Sequence, residues 1–155
     1  MIRRVAPVLL AALLAPPAAG GGLDCVAEAP DPRTCIGRMA KTCIAARADG
    51  ETTLGMVACL DAEAAAWDRM LNAEWAGAMA QARAMDATGD VAGPDLTRAD
   101  TLRAAQRAWI AFRDADCRAQ GARWGTGTLR SVSVANCHLG MTAERALHLR
   151  ALQED

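Results

Sequence analysis

MVACLDAEAAAWDRMLNAEWAGAMAQARAMDA, residues 56–87, carries apolar side chains at spacings of three and four along its whole length. Met56, Leu60, Ala64, Trp67, Leu71, Trp75, Ala78, Ala82 and Met85 fall on one stripe, which predicts a long amphipathic helix with one face against a core. Thr52 or Thr53 supplies its N-cap, and Thr88-Gly89 marks its end. This stretch decides the fold, because a helix of that length needs partners of the same kind to cover it.

Those partners are found on both sides. Downstream, TGDVAGPD (88–95) reads as a loop, and a second long helix follows over about 96–123, with Leu102, Ala105, Trp109, Phe112 and Ala119 on its buried side. Within it, AAQRAWIAFRDADC (104–117) is a packing helix: Trp109 and Phe112 fill the core, Arg113 ties neighbouring helices, and Cys117 anchors the far end. Upstream, Asp31 as N-cap and Pro32 at the first helical position open a short helix that runs to about Ala48 and stops at Asp49-Gly50. WGTGTLRSVSVANCHLGM (124–141) is less regular, either extended or a short helix. Thr142 then caps a final helix, TAERALHLRALQ, with Glu144 and Arg145 in its first turn. No repeat, low-complexity tract or alternating strand pattern appears. The fold class is all-α: a small antiparallel helical bundle of two long helices plus shorter N- and C-terminal helices, stapled by disulfides.

Residues 1–20 are expected to be a signal peptide. MIRR gives a basic start, VAPVLLAALLAP an apolar run too short for a stable span, and PPAAGGG small residues for cleavage near Ala19 or Gly20. Asp24, not a small residue, precedes Cys25, which excludes a lipid-anchor signal, and Arg3-Arg4 lacks the setting of a twin-arginine signal. The expected location is periplasmic or secreted, with no stable membrane insertion after cleavage. Removing Arg3 and Arg4 takes the formal charge from −1 to about −3. A nucleic-acid partner is excluded on that balance, since phosphate binding needs a basic face.

All six cysteines (Cys25, Cys35, Cys43, Cys59, Cys117 and Cys137) lie beyond the leader, and an even count in an exported chain reads as disulfides. If RTCIGRMAKTCIAAR is one helix, Cys35 and Cys43 lie roughly 12 Å apart along its axis, too far to bond. Cys43 and Cys59 stand eight residues either side of Glu51 in the ADGETT turn, so an antiparallel hairpin sets them face to face. Cys117–Cys137 and Cys25–Cys35 are the natural remainder.

Catalytic chemistry finds no footing. VANCH puts Val134 where covalent haem attachment needs a cysteine. Cys137, His138 and Met141 are soft-metal ligand types, but a bridged Cys137 and its adjacent histidine do not share a helical face, and Met141 reads as core. Ser131 and Ser133 lie in no recognised nucleophile setting, and His148 falls on a periodic helix. The acid pairs Asp61/Glu63 and Asp114/Asp116 are two apart and point to different faces. No catalytic, cofactor or metal residues are assigned, and the chain is expected not to be an enzyme.

MVACLDAEAAAWDRMLNAEW, then LRAAQRAWIAFRDADC, then a cysteine and TAER, occur in that order, and together they resemble the LprI-type lysozyme inhibitor N-terminal domain family. The resemblance spans about 56–152. It divides the chain into a signal peptide (1–20), a Cys-rich lead-in with a short helix (21–54) and an LprI-like helical domain (55–155). The positions that match are Cys59, Glu63, Asp68, Leu71, Asn72 and Trp75 on the first long helix. Gln106, Arg107, Trp109, Arg113, Asp114 and Cys117 follow on the second, with Cys137, Thr142 and Arg145 near the end. The family takes its name from a lipid-anchored inhibitor of lysozyme, and this chain has no lipid-anchor cysteine. Read structurally, Asp68 and Asn72, one turn apart, are expected to face Arg113 or Arg145 in a bidentate ion pair between helices.

The resemblance implies an exported, non-enzymatic binding protein with lysozyme as its protein partner. The candidate partner-binding residues are Arg123, Trp124 and Arg130 in RWGTGTLR (123–130): the arginines to reach an acidic cleft, the tryptophan to occupy a sugar subsite. The alternatives are a periplasmic structural or assembly factor that binds another envelope protein through a helix face, and a metal carrier using His138, Met141 or His148.

Overall fold

The computed structural model describes residues 23–89 and 96–154. Helix α1 (Cys25–Glu28) and a 3-10 turn (Pro32–Cys35) lead into α2 (Arg38–Ala46), followed by α3 (Thr53–Ala87), α4 (Arg98–Ala122) and α5 (Leu129–Ala151). There is no strand among the described residues, and the fold is all-α. No helix among them is long and apolar enough to cross a membrane. The expected signal peptide and most of the 88–95 loop lie outside the described residues.

Helix α3 is the spine, and α5 is its main partner. Trp67, Leu71 and Ala78 of α3 bury against Ala143, Ala146, Leu147 and Leu149 of α5, with Val26 and Cys35 closing one side. The fully buried Ala143 and Ala146 let the two backbones approach closely. A second cluster joins Ala40 of α2, Cys59 and Leu60 of α3, and Ala135 and Leu139 of α5. The α3 stripe is buried through its middle, but Met85 at its end is 44% exposed.

Three disulfides pin this arrangement: Cys25–Cys35, Cys43–Cys59 and Cys117–Cys137. Cys43–Cys59 joins α2 to α3 across the turn at a Cα separation of 5.6 Å, and Cys117–Cys137 joins α4 to α5 at 5.4 Å. The segment that carries the first two bridges is not one helix. It breaks at Ile36-Gly37, where Ile36 is extended and Gly37 takes φ +84°, a conformation without penalty only for glycine. Asp31 caps only the short 3-10 turn, accepting from Arg33 N.

Two further expectations are corrected. The 124–141 stretch is helical from Leu129 onward, so α5 is continuous and Thr142 is a buried mid-helix residue, not a cap. Burial outweighs the weak helical propensity of SVSV: Ala135 packs on α3, Val132 lies against the same cluster, and Val134 lies over Gly121 of α4. In α4 the expected core face holds only in part: Leu102 and Trp109 pack, partly buried, against the core. Ala99, Gln106, Cys117 and Gly121 are the buried residues, whereas Ala105 and Ala119 are exposed and Phe112 is 60% exposed. Helix α4 touches α3 and α5 along one narrow edge, so its outer face is left to solvent.

Candidate functional site

Two carboxylates of α3, Glu63 and Asp86, act between elements by capping neighbouring helices. Glu63, fully buried, accepts hydrogen bonds from Gly37 N (2.7 Å), Ala40 N (2.7 Å) and Trp67 Nε1 (3.0 Å). Gly37 and Ala40 are the N-cap and third residue of α2, which has no side-chain cap of its own. Glu63 thus performs both halves of a capping box from a neighbouring helix, with its charge at the positive end of the α2 dipole. Its place three residues after Leu60 and four before Trp67, inside the apolar arc, is the sequence signal for burial. Asp86, near the end of α3, also caps α4 from outside, accepting from the first two N–H groups of that helix, Arg98 N (2.8 Å) and Ala99 N (3.0 Å). Thr97 caps α4 as well, accepting from Asp100 N at 3.0 Å.

The expected ion pair from Asp68 and Asn72 to Arg113 or Arg145 is not formed. Asn72 Nδ2 donates to Asp68 Oδ2 at 3.0 Å on the exposed side of α3. Arg113 pairs instead with its own neighbour Asp114 at 2.9 Å, and ties no helices together. The α3–α5 ion pair is made elsewhere, by Glu74 with Arg150 at 2.8 Å, and Gln153 Nε2 adds a 2.9 Å bond to the same carboxylate. Glu74 and Arg150 are 76 residues apart, and no local spacing signals their pairing.

Gln106, Trp109, Arg113, Asp114 and Arg145, by contrast, do come together, in the groove between α4 and α5. The guanidinium carbons of Arg113 and Arg145 lie 5.0 and 5.8 Å from the Trp109 ring centre. Arg145 Nε donates to Gln106 Oε1 at 2.8 Å. Trp75 is partly buried between two core clusters. Cys137 is bridged to Cys117, and Met141 Sδ lies 3.7 Å from both sulfurs, so these three atoms form one packed unit. No group of three His, Cys, Asp or Glu among the described residues is placed to hold a metal ion.

The α4–α5 connection forms the exposed tip of this hairpin. Arg123, Trp124 and Arg130 are all exposed, Trp124 by 49%, and Gly125 turns the chain with φ +54°. Between Asp116 and Glu144 there is no acidic residue, while Arg118, Arg123 and Arg130 are exposed, so the tip is basic within a mildly acidic chain. Two hollows flank it. One of about 390 Å³ is lined by Gln120, Arg123, Trp124 and Ser133. The other, of about 600 Å³, has Arg130, Ser131 and His138 on α5 facing Thr53, Val57 and Asp61 on α3.

Comparison with known proteins agrees with this framework. Residues 43–149 match the family described as lysozyme inhibitor LprI, a span that includes two of the three disulfides and all of α3, α4 and the motif positions of α5. The chain is 33% identical over 160 residues to an uncharacterized 17.7 kDa protein in the puhA 5′ region of Rhodobacter capsulatus, covering 96% of each chain. It is 31% identical over 97 residues to an uncharacterized protein of Rhizobium meliloti (strain 1021), covering 62% of this chain and 70% of that one. No solved structure matches. The chain belongs to the LprI lysozyme inhibitor family.

Proposed function

We propose that this is an exported, non-enzymatic protein that inhibits a lysozyme by inserting the α4–α5 tip into the acidic substrate cleft. The observation that carries the reading is Trp124, half exposed on a glycine turn between exposed arginines, with no acid nearby in sequence. Lysozyme-type glycosidases work with paired carboxylates flanking the scissile bond. Arg123 and Arg130 suit such carboxylates as fixed-charge, fork-shaped donors, and Trp124 suits a sugar subsite as a flat apolar surface. The family description supports the activity, and three disulfides support export into an oxidising compartment. The test is a turbidity assay in which the oxidised chain lacking residues 1–20 is titrated against lysozyme on peptidoglycan. Stoichiometric loss of lysis is expected, and it should be lost in the Arg123→Ala/Trp124→Ala/Arg130→Ala variant. A variant that inhibits as well as wild type removes the tip from the account.

A second reading, an assembly factor binding another envelope protein through a helix face, has one observation in its favour. Phe112 is 60% exposed on α4, among the exposed Ala104, Ala108, Ala111, Ala115 and Ala119. Capture of an envelope protein that Phe112→Ser abolishes, with no loss of lysis at large molar excess, would favour that reading over inhibition.

A further inference from the structure

Arg145 differs from the arginines that are paired. Arg33, Arg47, Arg98, Arg103, Arg113 and Arg150 each lie within ion-pair distance of a carboxylate. Arg145 has a neutral amide, Gln106, at its Nε. Its Nη2 is buried and has no acceptor within reach among the described residues. Burial pushes the guanidinium below its ordinary pKa, the direction expected of a cation drawn from water without a countercharge. The Trp109 ring 5.8 Å away offers only the modest attraction of a quadrupole.

Nη2 itself is closed to solvent, but the rest of the side chain is partly exposed. It lines a groove of about 480 Å³ together with Trp109, Gly140, Met141 and His148. On its other side it borders a mainly apolar hollow of about 440 Å³ with Leu102 and Ala105. Glu144 also borders the groove, but its carboxylate is engaged by Arg33. A concave, largely apolar space of this size with a few polar groups is the usual form of a small-molecule site, and here Arg145 is the charged group without a countercharge.

We propose that the α4–α5 groove binds a small organic carboxylate, its acid group paired with Arg145 and its apolar body lying against Trp109 and Met141. A monoanion fits better than a phosphate, because the second arginine on Trp109, Arg113, is already neutralised by Asp114. The inference does not depend on lysozyme inhibition, and its test contains no lysozyme.

The experiment uses the full oxidised chain and follows the indole N–H of Trp109 by two-dimensional NMR, assigned with Trp109→Phe. The probes are phenylacetate, its neutral counterpart phenylacetamide, and inorganic phosphate. Saturable binding of phenylacetate is expected, with phenylacetamide and phosphate weaker by about tenfold or more, the worth of one charge-assisted contact. Arg145→Gln should lose the phenylacetate response. Gln106→Glu is the decisive variant, because it places a carboxylate where the Arg145 Nε already donates, and so neutralises the site while keeping the α4–α5 contact. It too should lose binding, with an unchanged helical spectrum, and it keeps the test valid if Arg145→Gln does not fold. Equal binding of acid and amide, binding of phosphate as tight as that of phenylacetate, full affinity in Gln106→Glu, or no saturable shift at about 50 mM probe would each overturn the proposal.

Discussion

Replacing Glu63 by glutamine changes one oxygen, yet it should cost more stability than any single surface substitution. In the native chain Oε1 accepts from Gly37 N and from Trp67 Nε1, and Oε2 accepts from Ala40 N. An amide has one acceptor oxygen; its NH2 must face at least one buried N–H, leaving that donor unsatisfied and adding a donor–donor contact. A buried unsatisfied donor costs about 1–3 kcal/mol, and hydrogen bonds to a charged acceptor are worth about 1.5–3 kcal/mol. The three bonds share one carboxylate and so do not add independently. We therefore expect about 2–3 kcal/mol for Glu63→Gln and about 3–5 kcal/mol for Glu63→Ala, which orphans all three donors and opens a cavity. Urea unfolding followed by tryptophan fluorescence reads this as a fall in midpoint of about 1–2 M, given a typical slope for a domain of this size. Glu51→Gln, on an exposed turn residue, is the control and should stay within about 0.5 kcal/mol of wild type. Hydrogen exchange adds a local readout: the Gly37 and Ala40 amides should lose protection first. If Glu63→Gln unfolds with the wild-type midpoint, the carboxylate is not what holds α2 on α3.

Other expectations follow from single contacts. Cys43→Ser/Cys59→Ser, which opens a bridge of sequence separation 16, should lower the unfolding free energy by about 3 kcal/mol in the chain-entropy picture, measured by urea titration. A Cβ at Gly121 would lie 2.5 Å from Val134 Cγ2, so Gly121→Ala should cost about 1–3 kcal/mol. Adding Val134→Ala should recover most of that cost in the same measurement. The Asp100 carboxyl is held below its usual range, first by the Thr97 hydroxyl and then by Arg103. Its stabilising contribution is therefore complete above the ordinary carboxyl value near about 4 and fades as pH falls through the lower folded value. Asp100→Asn should flatten that part of an acid-unfolding curve, and added salt should shrink the difference.

What the sequence disclosed was periodic or local. The three-and-four spacing of Leu60, Trp67, Leu71, Ala78 and Ala82 gave α3, and the symmetric placement of Cys43 and Cys59 about Glu51 gave their bridge, because both depend on helix geometry alone. The misplaced features depend on partners distant in sequence. SVSV reads as irregular by propensity, and only the contacts of Val132 and Val134 with other helices make it helical. Phe112 belongs to a helical pattern rich in alanine, where the apolar residues nearly encircle the helix and do not say which side faces inward. The pairing of Glu74 with Arg150 and the capping of α4 by Asp86 join positions that only the fold brings together. The groove around Arg145 was partly legible. Gln106, Trp109 and Arg145 stand among the family-matching positions, but Asp68 and Asn72, the partners expected for Arg113 or Arg145, lie on the exposed side of α3.

Hydrogen exchange of the oxidised protein, alone and with lysozyme in excess, tests the proposed contact with lysozyme directly. New protection is expected at 121–133, where the end of α4, the turn and the first turn of α5 present Arg123, Trp124 and Arg130. Protection confined to another surface, such as the Asp68–Asn72 side of α3 or the Phe112 face of α4, or no protection at all, would contradict it.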